Sequence, residues 1–182
     1  MNDNQLAKQI ASGNIEAGQS FVREHYTAVF RVLLRMTDHR EEAEDLTQQT
    51  FVSARKSIGS FNGSSTLRTW LHRIAINEYR QWRRKRRWVG QIFREEPSSD
   101  QGVKSFESGY VLAQAMGKLS GKLREAFVLF EVEQLSMNEV AQVLDIPVGT
   151  AKARVSYARQ QLRTLLEDRI EVKNDELRES TS

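Results

Sequence analysis

Apolar residues recur along this chain at steps of three and four and almost never alternate. The first run extends from about Ile15 to Met36, where Phe21, Val22, Tyr26, Val29, Phe30, Leu33 and Leu34 make one stripe; that spacing is the period of an α-helix. A second run starts at Asp38, with Glu41 three residues on as a capping pair, and places Ala43, Leu46, Thr50, Phe51, Ala54 and Ile58 on one face before Gly59. A third follows the polar loop Asn62–Ser65: Leu67, Trp70, Leu71, Ile74, Ala75, Glu78, Tyr79 and Trp82, all but Glu78 suited to burial. Periodicity lapses after Trp88, and the Pro, Gly, Ser and acid-rich stretch Gln91–Gly109 reads as a linker. It resumes near Tyr110, with Val111, Leu112, Ala115, Met116 and Leu119, then Leu123, Ala126, Phe127, Leu129 and Phe130, and runs to about Leu166.

Proline occurs only at positions 97 and 147, which leaves long stretches free to be helix. The pattern predicts an all-α chain of two small helical domains. The first spans 1–88, a flexible linker 89–109, the second 110–170, and a polar, disordered tail 171–182.

The formal net charge of +3 conceals a separation. Glu41, Glu42, Glu44 and Asp45 form an acidic cluster, whereas six of the eight residues from Arg80 to Arg87 are basic. Opposite local fields on one chain imply two kinds of partner, one of them nucleic acid.

Other classes are excluded. Without cysteine there is no disulfide framework and no thiolate metal site. His25, His39 and His72 have no metal-ligand spacing, and no phosphate-binding glycine loop or nucleophile motif is present. The expectation is a protein that is not an enzyme and uses no metal or cofactor. The N-terminus lacks the basic and apolar regions of a signal peptide, and no apolar run approaches the roughly 18 residues of a membrane span. A cytoplasmic protein without direct membrane insertion is expected.

The sharpest local pattern is LSMNEVAQVLDIPVGTAKARVSYARQQLRTLL, Leu135–Leu166. Ser136 and Glu139 form a capping box ahead of a short helix with Val140, Ala141 and Leu144 inward. Asp145–Ile146–Pro147 breaks it, and Pro147 suits the first turn of the next helix. That helix carries Ala151, Val155, Ala158, Leu162 and Leu165 on one side and Lys152, Arg154, Tyr157, Arg159 and Arg163 on the other. This is the pattern of a helix-turn-helix whose second helix enters the major groove. Thr150, Lys152, Arg154 and Tyr157 are the candidate readers and Arg159 a phosphate contact. The plainer alternative is a helical hairpin with a solvated basic face.

The stretch FNGSSTLRTWLHRIAINEYRQWRRKRR, Phe61–Arg87, raises a second possibility. Trp70, Leu71 and Ile74 are explained as core. Six crowded cations gain from an anion, and phosphate is the obvious one. Aromatics beside cations suit unstacked bases, and a small polar loop can approach a flipped base closely. Melted DNA and an ordinary core with a solvated surface both remain open on these residues.

Three segments together resemble one family: AEDLTQQTF (43–51), SFNGSSTLRTWLHRIAIN (60–77) and LSMNEVAQVLDIPVGTAKARVSYARQQLR (135–163). They are similar to the signature segments of bacterial extracytoplasmic-function sigma factors, the smallest sigma-70-type factors, with a region 2 and a region 4 domain. The resemblance implies a protein that binds core RNA polymerase through the β′ clamp and β flap, directs it to promoter DNA and helps open it. Region 2 would recognise and melt the −10 element; the region 4 helix-turn-helix would read the −35 element as duplex. Carried over by position, Asp45, Leu46, Gln48, Gln49 and Phe51 would meet the clamp. Phe61, Asn62, Gly63, Ser64, Ser65 and Thr66 would form the pocket for a flipped base. Asn77 would sit at the upstream edge of the −10 element, and Arg80, Arg83 and Arg84 would hold the backbone. Family members are often held by an anti-sigma factor. The chain departs from the usual pattern at Gln49, Arg55 and Ala151, where Glu, Trp and Val are common, and at Ser64 and Ser65, where an acid is frequent. Two other functions fit parts of the pattern: an autonomous helix-turn-helix regulator, and an RNA-binding or antitermination module.

Overall fold

The computed structural model describes residues 2–93 and 107–179. Eight α-helices follow one another among them: α1 (Asp3–Ala11), α2 (Ile15–Thr37), α3 (Arg40–Ser57), α4 (Leu67–Phe93), α5 (Glu107–Lys118), α6 (Gly121–Phe127), α7 (Met137–Leu144) and α8 (Val148–Glu179). A 3₁₀ turn, Ile58–Ser60, extends α3, and a π-helical turn, Val128–Val132, extends α6. No strand occurs among the described residues, and no helix there is long and apolar enough to cross a membrane.

The first domain is α1–α4. Helices α2, α3 and α4 pack on one another, and α1 lies against α2 and the 3₁₀ turn. Phe21, Val29, Val32, Leu33, Met36, Leu46, Leu67, Leu71, Ile76 and Tyr79 fill its centre. In the second domain α6 and α7 pack on α8, with Leu129, Leu135, Val140, Leu144, Val155 and Leu162 inside. The domains also touch each other: α7 lies along α4, and the π turn meets α2. Their buried apolar residues form one continuous set.

Helix ends depart from the sequence expectations in physical ways. Asp38 does not cap α3; it closes α2 in the left-handed conformation with φ 61°, and His39 precedes α3 without a side-chain cap. Pro147 stands just before α8, accepting from the Ala151 N–H at 3.1 Å, rather than in its first turn. Helix α1 carried no long apolar stripe, but its Asn2/Gln5 capping box is complete. The helical backbone of α4 reaches Phe93 and α5 begins at Glu107, so helix enters the span expected as linker, and residues 94–106 of it lie outside the described residues. Helix α8 continues through Glu179, where a disordered tail from 171 was expected.

Candidate nucleic-acid and polymerase interfaces

Loop Phe61–Thr66 leads straight into α4. Gly63 has φ +75°, a conformation side chains resist, and a Cβ there would also come within 2.6 Å of the Asn4 side chain. The Ser64 N–H donates to Asn62 Oδ1 at 3.0 Å, an Asx turn. Asn62, Gly63, Ser64 and Thr66 are exposed and Ser65 half-buried. Phe61 is half-buried, edge-on to Trp70 with centroids 5.8 Å apart. The loop thus offers a polar rim on an aromatic floor.

Along α4, Asn77 and Arg84 are exposed on one face, two turns apart. Arg80, Arg83 and Arg86 are less available than the sequence suggests. Arg80 pairs with Glu125 of α6 at 2.7 Å. The Arg83 guanidinium fills the space where a Cβ on Gly121 would lie. Arg86 lies over the Trp82 ring and pairs with Glu42 at 3.4 Å, while Trp82 Nε1–H donates to the same carboxylate at 2.7 Å. Arg84 has no ion partner among the described residues. Beneath them, burial pushes the Tyr79 hydroxyl above its ordinary range despite the nearby Arg83 and Arg124.

The helix-turn-helix forms as its pattern predicts. The Ser136 N–H donates to Glu139 Oε2 at 2.9 Å, and the Glu139 N–H donates back to Ser136 Oγ at 3.3 Å. Partial burial raises the Glu139 carboxyl, but bonds from Ser136 and Thr69 outweigh it and hold the group below the ordinary range. Asp145 turns the chain in the left-handed conformation, Ile146 packs on the core, and Ala141 is buried at the crossing. On α8, Lys152 and Tyr157 are exposed, and Thr150 and Arg154 half-buried, along one edge. Arg159 is tied inward: its Nε donates to Glu131 Oε1 at 2.6 Å and its guanidinium sits over Phe130.

On α3, Asp45, Gln48 and Gln49 are exposed in a row. Leu46 is only 7% exposed and belongs to the core, so it positions this face rather than presenting it. Phe51 is half-buried, 6.1 Å from Phe21 and 6.2 Å from Tyr26 between ring centroids. Beside this row runs an apolar groove of about 690 Å³, lined in part by Ile15, Val22, Tyr26, Phe51, Val52 and Ile58. Val22 and Tyr26, members of the α2 stripe, lie at its exposed edge. Periodicity marks which residues share a stripe, not how far neighbouring helices cover it, so spacing alone does not announce the groove.

Residues 21–89 match the family model for sigma-70 region 2, and residues 111–162 the model for sigma-70 region 4. The ECF RNA polymerase sigma factor SigW of Bacillus subtilis is 30% identical over 177 residues, covering 88% of this chain and 95% of that protein. RNA polymerase sigma factor CnrH of Cupriavidus metallidurans is 30% identical over 180 residues, covering 91% and 94%. Among solved structures, CnrH in complex with the cytosolic domain of CnrY superposes with a TM-score of 0.70 at 28% identity, covering 91% of this chain and 97% of that one. The sigma factor RpoE in complex with the anti-sigma factor NepR, from Bartonella quintana, gives 0.70 at 27% identity, covering 82% and 96%. This chain belongs to the extracytoplasmic-function sigma factors of the sigma-70 family, the proteins that direct core RNA polymerase to promoters.

Proposed function

We propose that α4 and the loop before it work as one promoter-opening element. Phe61 to Thr66 receive an unstacked base of the −10 strand, while Asn77, Arg80, Arg83 and Arg84 hold the DNA upstream. Thr150, Lys152, Arg154 and Tyr157 face the −35 duplex, with Arg159 reaching phosphate once it leaves Glu131. Asp45, Gln48 and Gln49 meet the polymerase clamp, with Phe51 and the neighbouring groove as their apolar flank. An anti-sigma factor that covers the clamp-facing surface holds the protein inactive; the RpoE–NepR complex among similar folds favours this. The single observation that carries the reading is the continuity of loop and helix. A polar rim on an aromatic floor opens directly onto a rod that carries Asn77 and Arg84 on one face. Pocket and grip therefore cannot drift relative to each other.

Run-off transcription with core polymerase on a promoter library tests this. The expected result is initiation that requires both proteins and selects two separated elements. Tight sequence-specific duplex binding by the free chain, with no polymerase-dependent transcript, overturns it in favour of an autonomous regulator. A strong preference for RNA overturns it in favour of an RNA-binding module.

A further inference from the structure

The loop and α4 form one rod, and a single carboxylate makes the polar tie between the outer end of that rod and the rest of region 2. Beyond Tyr79, and among the described residues, the polar contacts that α4 makes to other helices of region 2 all end on Glu42. The Trp82 Nε1–H donates to Glu42 Oε2 at 2.7 Å, and Arg86 Nη1 donates to Glu42 Oε1 at 3.4 Å. The Arg86 guanidinium lies 5.3 Å from the centre of the Trp82 ring, and Trp82 stacks on the buried Tyr79 with centroids 5.9 Å apart. Carboxylate, indole and guanidinium thus close a triangle in which each orients the other two. Arg80 and Arg83 turn instead to Glu125 and Gly121 of region 4.

Helical phase sorts the cations of this run. At about 100° per residue, Arg84 falls within about 20° of Asn77 and Arg86 about 180° from it. Arg86 therefore belongs to the side of α4 that meets α3, not to the side that carries Asn77 and Arg84. Glu42 stands in the first turn of α3, three residues before Asp45.

We propose that Glu42 is a positioning residue for the DNA grip. Through Trp82 and Arg86 it fixes the outer turns of α4 against α3, and so sets where Arg84 meets the DNA backbone. The inference rests on the reading of Arg84 as a DNA contact. The Glu42 and Arg86 side chains are 38% and 44% exposed, so their ion pair contributes little by itself. The shorter, charge-assisted bond to the indole N–H does the holding, and Arg86 keeps the ring in place by its cation–π contact. A carboxylate beside a DNA-binding helix also repels phosphate through space, so charge alone predicts that its removal strengthens DNA binding. Positioning predicts the opposite sign.

The test uses the full chain saturated with core polymerase, and a fluorescent forked DNA from the promoter-library selection that keeps duplex upstream of the −10 element. Glu42→Ala and Glu42→Gln remove the same charge, but only glutamine keeps an oxygen for the Trp82 N–H. At about 0.1 M salt Glu42→Ala should weaken DNA binding about fivefold, the worth of roughly one phosphate contact. Glu42→Gln should bind at least as well as the parent. In an Arg84→Ala background Glu42→Ala should cost nothing more, because the contact it positions is gone. If Glu42→Ala loses helicity, Trp82→Phe takes its place, since it keeps a ring and loses the N–H. Unchanged or tighter binding by the folded variant overturns the positioning role. Equal losses in the two Glu42 variants, or a full loss in the Arg84→Ala background, overturn it as well. If Arg84→Ala alone leaves binding unchanged, the reading of α4 as the DNA grip is overturned and this inference with it; that variant leaves Glu42 intact, so the two failures are told apart.

Discussion

The carboxylate of Asp3 in α1 accepts a 2.7 Å hydrogen bond from the backbone N–H of Leu67, the first residue of α4. One helix thereby caps another. The first N–H groups of a helix have no partner within it, and a carboxylate placed there also meets the positive end of the helix dipole. The contact seats α1 beside the loop Phe61–Thr66, where the Asn4 side chain lies against Gly63.

Asp3→Ala should therefore destabilise the protein by about 1 kcal/mol, the usual worth of an N-cap. Urea unfolding followed by fluorescence of Trp70, Trp82 and Trp88, all on α4, should show a lower midpoint. An unchanged midpoint would mean that water replaces the cap at no cost.

Ser136→Ala removes one half of the α7 capping box and should cost about 1 kcal/mol. Its effect should be confined to region 4: use of the −35 duplex declines on warming before capture of single-stranded −10 DNA does. Ser136→Thr should restore both, since threonine keeps the hydroxyl.

Arg84→Ala should weaken DNA binding evenly across sequences and reduce the slope of log K against log salt by about 0.7 to 0.9, the loss of one phosphate contact. Arg80→Ala should cost less, because Arg80 is already paired with Glu125. Salt titrations of both variants on single-stranded DNA measure the difference. Equal losses would mean that the Glu125 pairing places no restraint on DNA binding.

Glu133, at the end of the π turn, has a fully buried side chain that pairs with Arg31 of α2 at 2.8 Å, and it gives this contact between the domains an acid limit. Burial alone would raise its carboxyl, but His72 and Arg31 outweigh that and hold it below the ordinary 4.5. Because the value in the folded protein is depressed, the carboxylate's contribution to stability is complete above the ordinary 4.5 and is lost as pH falls through the lowered value. The urea unfolding midpoint, followed against pH, should show a step from this group only below 4.5. In Glu133→Gln the step belonging to this group should be absent.

The helices and the order of the two domains could be read from the sequence because their signals are local. Apolar spacing, the Ser136/Glu139 box and the Asp145–Pro147 break each depend on neighbours within four or five residues. Three features could not be read that way. Asp38 looked like a start of α3, yet a left-handed close of α2 claimed it first. Helix α1 carried its capping box but too short a stripe to stand out. Arg80 looked like a free cation, and nothing within α4 announces that Glu125, far along the chain, lies opposite it. The sequence reading identified which residues carry charge; which charges remain available is a property of the packed domains.

Helix α4 also sets a constraint of phase. Its 27 residues make a rod of about 40 Å whose turns lock the loop at one end to Asn77 and Arg84 further along. One residue added between Thr69 and Asn77 would rotate every later side chain by about 100°, carrying Arg84 off the face that holds the loop and Tyr79 out of the core. The helix behaves as a keyed shaft: its teeth can be exchanged one at a time, but its pitch is common to the core beneath and the exposed face above.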